Sequence, residues 1–483
     1  MVRTGGYAAR LPVLGALLAA VAVVSGACSS TTDGQPLTIG DVAGLPVTHF
    51  ESGLRPDAPK PDVRIQGITG STEDRLAAAA IADVTDYWAQ TLPAVFRQRF
   101  APVGRLLSYD PDGTKVEVCG GSTADAAMNA FYCPPEDMVA WDRKLLLPLL
   151  RERFGPMAIV TVLGHEYGHA IQYRLGPKAG IDENTSTIVK EQQADCFTGT
   201  YFRWMAENNS EYFVVSTSEG LNQVLASLFF IRDEAGQSAS DHGAHGSAFD
   251  RTYAFQLGFE RGAERCAAID QADVDARITE QPFHPEDNND GDAPINEEMM
   301  ALVQQSLDQA FAGAGVDGPR IVAGGGSCPD GPATPPATYC PDTNTVSIDL
   351  AELYQLGQPV DREAEFEGTE SAGGLGDFAA FAEVASRYTQ GIQQGVGATL
   401  DDANAGLRTA CLVGAWAGAA DGDGNVLRLS PGDLDEAIAE LLRPRSLIAA
   451  DVNGHPVANG FARVEALRVG YLKGSEPCTR QYG

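Results

Sequence analysis

His165-Glu166-Tyr167-Gly168-His169 sets two imidazoles four residues apart with a carboxylate between them. On a helix, positions i and i+4 share one face about one turn apart. Both rings then reach a single tetrahedral cation, and Glu166 stands close enough to take a proton from a water that the cation activates. With only 7 histidines in 483 residues, an accidental match on an ordinary amphipathic helix is disfavoured. A catalytic zinc keeps three protein ligands and one open position. The third ligand is available in Glu191-Gln192-Gln193-Ala194-Asp195, which begins 22 residues after His169 and leads into Cys196-Phe197 rather than a polar face. Glu191 is the expected ligand. Asp195, again at i+4, is expected to accept the free ring N–H of a ligand histidine, His165 being the natural one, and so to fix its tautomer and orientation.

The elements that must hold these groups are legible around them. Gly155-Pro156 offers a helix start with proline in the first position, and apolar residues recur at Met157, Ile159, Val160, Leu163 and Ile171. Gly176-Pro177 supplies the stop. Residues 188–204 read as a second helix carrying Glu191. Upstream, 72–96 reads as a helix, with a possible break at Pro93, followed by short strands at 105–109, 115–119 and 137–141. Downstream, further helices are expected near 218–235 and 246–268. The pattern is α+β, mostly helical, with a small sheet.

HEYGHAIQ followed by EQQADCFTG resembles the bacterial putative neutral zinc metallopeptidase family, in its actinobacterial-type lipoprotein form. The similarity also takes in Cys119-Gly120, Phe131-Tyr132-Cys133-Pro134, Trp141-Asp142, His245-Gly246-Ser247, Arg251, Gly258 and Gly262, and so covers about 63–269. The resemblance implies a zincin-like fold and a metal-dependent peptidase with one zinc per chain. It also makes His245 a tentative donor to the oxyanion of the transition state, with His242 and Tyr167 as other candidates.

The first 28 residues read as an export signal. Arg3 and Arg10 precede an apolar run over 11–24, then Ser25-Gly26-Ala27-Cys28. Cys28 before Ser29-Ser30 looks like the lipidated cysteine of a bacterial lipoprotein. Ser25 stands where an aliphatic residue is usual, which leaves conventional cleavage after Ala27, or a retained signal anchor, as alternatives. Residues 29–62 are rich in Ser, Thr, Gly, Pro and Asp and read as a flexible tether. The net charge of −31, with no basic stripe, excludes nucleic acid as a natural partner. Attachment to the outer face of the membrane would therefore depend on the N-terminal lipid, and a secreted form is the alternative. Oligomeric state is not encoded in any pattern found.

Setting Cys28 aside, 8 of the 9 cysteines remain, an even count that argues for disulfides in an exported chain. Their arrangement repeats. Cys119, Tyr132-Cys133-Pro134 and Asp142 recur as Cys328, Tyr339-Cys340-Pro341 and Asp349. Residues 155–176 align without gaps to 376–397, and Phe249, Arg251, Gly258 and Cys266 answer to Phe461, Arg463, Gly470 and Cys478. In this alignment His165, Glu166 and His169 become Ser386, Arg387 and Gln390, while Glu191 and Asp195 become Gly406 and Ala410. The second half therefore reads as a degenerate, non-catalytic copy of the first, kept chiefly as a scaffold. Equivalent cysteines should pair equivalently, as Cys119–Cys133, Cys196–Cys266, Cys328–Cys340 and Cys411–Cys478.

The expected organisation is a signal (1–28), a tether (29–62), a catalytic domain (63–278), a polar linker (279–296) and the degenerate repeat (297–483). In that repeat a helix is expected at 297–312, a strand at 344–348 and a helix at 386–396. Glu286, Asn288, Asp290 and Glu297 in the linker read as an acidic turn rather than a calcium loop. The chemistry expected is hydrolysis of peptide bonds in a peptide or protein substrate, with Glu166 as general base. The alternatives are a zinc-dependent amidase of cell-envelope material and a non-catalytic envelope scaffold or binding protein.

Overall fold

A computed structural model describes residues 41–240, 243–284, 291–329, 333–367, 374–422 and 424–483. The export signal with Cys28, the first part of the tether, His242 and the linker residues Glu286, Asn288 and Asp290 lie outside the described residues. Among those described, no helix is long and apolar enough to cross a membrane.

The fold is mostly helix with several small sheets. In the first half, strand Met138–Asp142 is central. It runs parallel to Arg105–Tyr109, in register Arg105 with Met138, and antiparallel to Ala130–Cys133, in register Cys133 with Met138. Every residue of Met138–Asp142 is buried, as expected for a strand covered on both faces, and Met-Val-Ala-Trp reads accordingly as one apolar run. In the second half, Thr345–Ile348 is central. It is parallel to Arg320–Ala323 and antiparallel to Ala337–Cys340, so strand order and directions are the same in the two sheets.

Helix Thr72–Phe96 is capped by the Ser71 hydroxyl, which accepts from the Asp74 N–H, and carries Glu73 and Asp74 in its first turn. It runs through Pro93 to Phe96 without a break. Proline falls in the last turn, and the N–H of Arg97 closes back on the Pro93 carbonyl. Helix Leu146–Phe154 is one the sequence pattern does not announce. Its Pro148 lies in the first turn, where a missing N–H costs no hydrogen bond.

The motif helix, Pro156–Leu175, packs against the glutamate helix, Thr187–Ala206, which lies against Ala248–Ala267. The last two approach unusually closely. A Cβ on Gly199 would sit 1.9 Å from the Phe255 carbonyl oxygen, and one on Gly258 would sit 1.8 Å from that of Cys196. Only glycine fits both crossings, and the disulfide Cys196–Cys266 pins the same pair. Helices Ala405–Asp421 and Gly460–Lys473 in the second half meet in the same way. There the corresponding distances are 1.9 Å from Gly414 to the Leu467 carbonyl and 1.8 Å from Gly470 to that of Cys411, beside Cys411–Cys478. Cys119–Cys133 and Cys328–Cys340 complete the four bridges.

The tether does not extend to residue 62 as expected. From Asp41 the chain lies on the first half: Gly53–Leu54 pairs antiparallel with Phe213–Val214, and Arg55 Nε donates to the carbonyls of Ser210 (3.0 Å) and Phe213 (3.2 Å). Val42 is buried in the core. One cluster of buried side chains runs through both halves. Phe259 meets Phe461 with ring centroids 5.1 Å apart, and Gln256 Nε2 donates to the Phe461 carbonyl at 2.8 Å.

Candidate metal centre

The motif helix carries His165, Glu166 and His169, and the glutamate helix brings Glu191 and Asp195 across to them. Gly168 makes that approach possible, because a Cβ there would stand 3.0 Å from the Ala194 carbonyl oxygen and 3.1 Å from Ala194 Cα. His165, Glu166, Glu191 and Asp195 are all buried. His165 Nε2 and His169 Nε2 lie 3.2 Å apart. Glu191 reaches both, with Oε2 3.0 Å from the first and Oε1 3.3 Å from the second.

Each imidazole is oriented through its other nitrogen. His165 Nδ1 is 2.7 Å from Asp195 Oδ1, the pairing expected from the sequence. His169 Nδ1 is 3.1 Å from Gln172 Oε1, and Gln172 is itself held by donating to the Lys190 carbonyl at 2.6 Å. With both Nδ1 atoms bonded to acceptors, the Nδ1 positions carry the protons, and in a metal-bound site the two Nε2 lone pairs would face the ion. Two ring nitrogens at 3.2 Å with a carboxylate beside them call for a cation. Glu191 Oε2 is buried and, beyond its 3.0 Å contact with His165 Nε2, has no other partner, as a ligand oxygen would be. Donor atoms roughly 2.0–2.1 Å from a tetrahedral zinc lie about 3.3 Å apart, close to the separations found. The residues fit zinc.

Without a metal, the same acidic surroundings draw a proton onto His165 instead. Burial alone would pull the His165 pKa down, yet the Asp195 and Glu191 carboxylates raise it to about 10. His169 is likewise raised by Glu191 against the effect of its burial. Burial would raise Glu191, but the two histidines hold it well below the usual carboxylate range. Glu166 behaves oppositely: burial pushes it up, and the two histidines only partly offset that. A carboxylate with raised basicity beside the cation position is equipped to take a proton. Its Oε2 accepts the N–H of Tyr132 at 2.8 Å, from the edge strand of the small sheet.

Arg251 was part of the family resemblance but had no role in the sequence reading. Its Nε and Nη2 donate to Asp195 Oδ2 and Oδ1, each at 3.0 Å, and Nη1 donates to the Ile231 carbonyl at 3.0 Å. Burial works against charge on Asp195, but Arg251 and His165 keep its pKa low. A chain of contacts thus runs from Arg251 through Asp195 to His165. A buried carboxylate implies a buried cation partner, which is the signal that points to Arg251. Gln172 could have been found from its position, three residues after His169 on the same helical face.

His245 is not brought to this cluster by any hydrogen bond or ion pair among the described residues. Its side chain is 52% exposed, its ring Nδ1 lies 3.3 Å from Asp233 Oδ1, and its backbone N–H is also taken by Asp233. The carboxylate of Asp233 thus engages Nδ1 of the ring that the resemblance offered as an oxyanion donor. Tyr167 is fully buried, and its hydroxyl accepts from Thr85 at 3.0 Å, a packing role.

Residues 52–269 match the putative neutral zinc metallopeptidase family. The matched segment contains the three convergent donors, Glu166, Asp195 and Arg251. It begins at Ser52, next to the Gly53–Leu54 strand that pairs with Phe213–Val214. An uncharacterized protein of Mycobacterium tuberculosis (strain ATCC 25618 / H37Rv) is 25% identical over 230 residues, spanning 43% of this chain and 75% of its own length. An uncharacterized protein of Mycobacterium bovis (strain ATCC BAA-935 / AF2122/97) is similar to the same extent. No solved structure matches the chain.

Proposed function

We propose that the chain is an exported zinc-dependent peptidase, held at the membrane by a lipid on Cys28, in which His165, His169 and Glu191 hold the metal. The observation that carries this reading is the convergence of three donor side chains at 3.0–3.3 Å, with both imidazoles locked from behind by Asp195 and Gln172. Zinc held there supplies Lewis acidity to the attacking water and to the scissile carbonyl. Glu166 does the proton work. Its Oε2 is fixed by the Tyr132 N–H, leaving Oε1 to accept the proton of the water and deliver it to the leaving amine nitrogen. Arg251 keeps Asp195 ionised, and Asp195 holds the His165 ring with Nε2 toward the metal position.

The second half, in this reading, is a copy of the same framework that packs but does not cut. Its support is the shared strand order, the paired glycine crossings and the matching disulfides. At the aligned positions stand Ser386, Arg387, Gln390, Gly406 and Ala410, which offer no metal ligand set.

The test is hydrolysis of a peptide library by mature protein with and without chelator, alongside Glu166→Gln. Chelation should abolish cleavage and zinc should restore it. Glu166→Gln should keep its zinc and lose roughly 10²–10⁴-fold in rate. Cleavage indifferent to both would overturn the proposal.

A further inference from the structure

Tyr173 is 55% exposed, the largest fraction among the large apolar side chains that reach solvent in the described residues. It lies on the motif helix four residues after His169 and seven after Glu166, which places all three on one face. A helical side chain leans over the turn before its own Cα, so Tyr173 borders the turn that carries His169. The centre is also most open there: the His169 side chain is 17% exposed, against 5% for His165 and 9% for Glu191. Beside Tyr173 stands Tyr132, with ring centroids 5.6 Å apart and planes at 55°. The same Tyr132 gives its N–H to Glu166 at 2.8 Å. The pair of rings therefore adjoins the residue proposed as the base.

The Tyr132 ring is fixed in place. Its hydroxyl donates to Asp137 Oδ1 at 3.0 Å, and Arg174 Nη2 meets Asp137 Oδ1 and Oδ2 at 3.0 and 3.1 Å. Asp137 Oδ2 also accepts the Gly104 N–H at 2.9 Å. Glu136, the other acid of this turn, is taken by Arg105 and by the Cys119 N–H. With both carboxylates engaged, a basic side chain arriving at the rings would find no free counter-ion. What the rings offer is an apolar, aromatic surface. The second half supplies the contrast. On the proposed correspondence Tyr132 and Asp137 become Tyr339 and Asn344, and the Tyr339 hydroxyl keeps the equivalent contact, with Asn344 Oδ1 at 3.0 Å. Tyr173 becomes Gln394, whose Oε1 lies 2.9 Å from the same hydroxyl. Anchoring the strand tyrosine thus does not need a second ring, and of the two aligned helix positions only the one beside the metal ligands carries one.

We propose that Tyr173 and Tyr132 form a shelf for an aromatic side chain of a polypeptide bound at the metal centre, with Tyr173 setting the preference. The proposal rests on the peptidase reading for its place, but it is read out by binding. Glu166→Gln protein, purified in the presence of zinc, is titrated by fluorescence anisotropy with labelled octapeptides that differ at one central residue, Phe, Lys or Ala. The Phe peptide should bind about tenfold more tightly than the other two, the scale of one aromatic contact together with the area it buries. Adding Tyr173→Ala should bring the three peptides within about twofold of one another, and adding Tyr173→Phe should keep the preference. Because Tyr173 is exposed, both variants should retain zinc and melt within about 2 °C of the parent. Equal binding of the Phe and Ala peptides, tightest binding of the Lys peptide, or a Phe preference that survives Tyr173→Ala would each overturn it. Chelator-sensitive cleavage by the wild-type protein separates the two readings. Cleavage without a Phe preference in binding would sink the shelf alone, whereas Phe-selective binding without cleavage would sink the peptidase reading and support the shelf.

Discussion

Arg251→Met tests the contact chain behind the metal centre. The guanidinium and the Asp195 carboxylate are 2% and 0% exposed, and they share two hydrogen bonds of 3.0 Å. Methionine fills similar volume but leaves Asp195 with only His165 Nδ1 as a partner, and leaves the Ile231 carbonyl without its donor. Removing one member of a buried ion pair costs about 3–5 kcal/mol. At roughly 2–4 °C per kcal/mol for a unit of this size, the metal-free protein should melt roughly 6–20 °C lower. A less firmly held Asp195 also orients His165 less well, so zinc affinity by chelator competition should fall about 10–100-fold. Asp195→Asn disrupts the same interaction, so a cycle of the two single variants and the double variant should show a coupling of about 0.5–3 kcal/mol. Melting within about 2 °C of wild type with unchanged zinc affinity, or costs that simply add in the cycle, would refute the chain from Arg251 to His165.

Three further expectations follow from other contacts. His169→Ala removes one of three donors and should leave no stoichiometric zinc after dialysis; full occupancy by metal analysis would contradict the ligand set. Glu260, whose pKa burial and the neighbouring Glu465 push up to about 8, keeps in the folded state a proton that the unfolded chain releases near the ordinary glutamate value of about 4.5. Its contribution is therefore fully present below about pH 4.5 and is lost as pH rises toward 8. Glu260→Gln should consequently raise the melting temperature more at mildly alkaline than at acidic pH, and an equal gain at both would count against this assignment. Mass spectrometry of the mature protein should find Cys28 first in the chain and acylated; an unmodified N-terminus there, or one further upstream, would remove the lipid anchor from the proposal.

What the sequence made legible is what helical spacing encodes. His165 and His169, and then Glu191 and Asp195, lie at i and i+4, so a helix assignment alone aims each pair. The cysteine pairs were accessible because the spacing pattern occurs twice. Arg251 was harder: it meets Asp195 across 56 residues of chain, and no local period announces such a contact. The Tyr132 N–H that holds Glu166 is a backbone donor and carries no residue signature. Residues 41–62 have the composition of a linker, but backbone pairing to Phe213–Val214 and a hydrogen bond from the Thr48 N–H to Thr217 Oγ1 at 2.9 Å order them, and composition is blind to both. His245 came from the resemblance alone, and no hydrogen bond or ion pair among the described residues ties its ring to the metal centre.

If the second half is a copy of the first, as proposed, the two halves show how a buried arginine is satisfied without a carboxylate partner. Arg463, aligned with Arg251, has Ala410 where Asp195 would be. It turns instead to main-chain carbonyls, with Nη1 donating to Leu441 at 2.8 Å and to Arg443 at 2.9 Å. Arg387, aligned with Glu166 and fully buried, does the same with Asp451 at 2.8 Å and Leu447 at 2.9 Å. Carbonyl dipoles satisfy the donors but compensate the charge less than a carboxylate does. Burial accordingly lowers both Arg387 and Arg463 to about 10, whereas Asp195 raises Arg251 despite its burial. On the proposed correspondence, the framework tolerates losing the ion pair because its closest helix crossing is set by glycines and a disulfide, which both halves keep. The carboxylates of the first half are therefore not needed to hold the helices together, and their conjunction with two imidazoles is best accounted for by the metal they would hold.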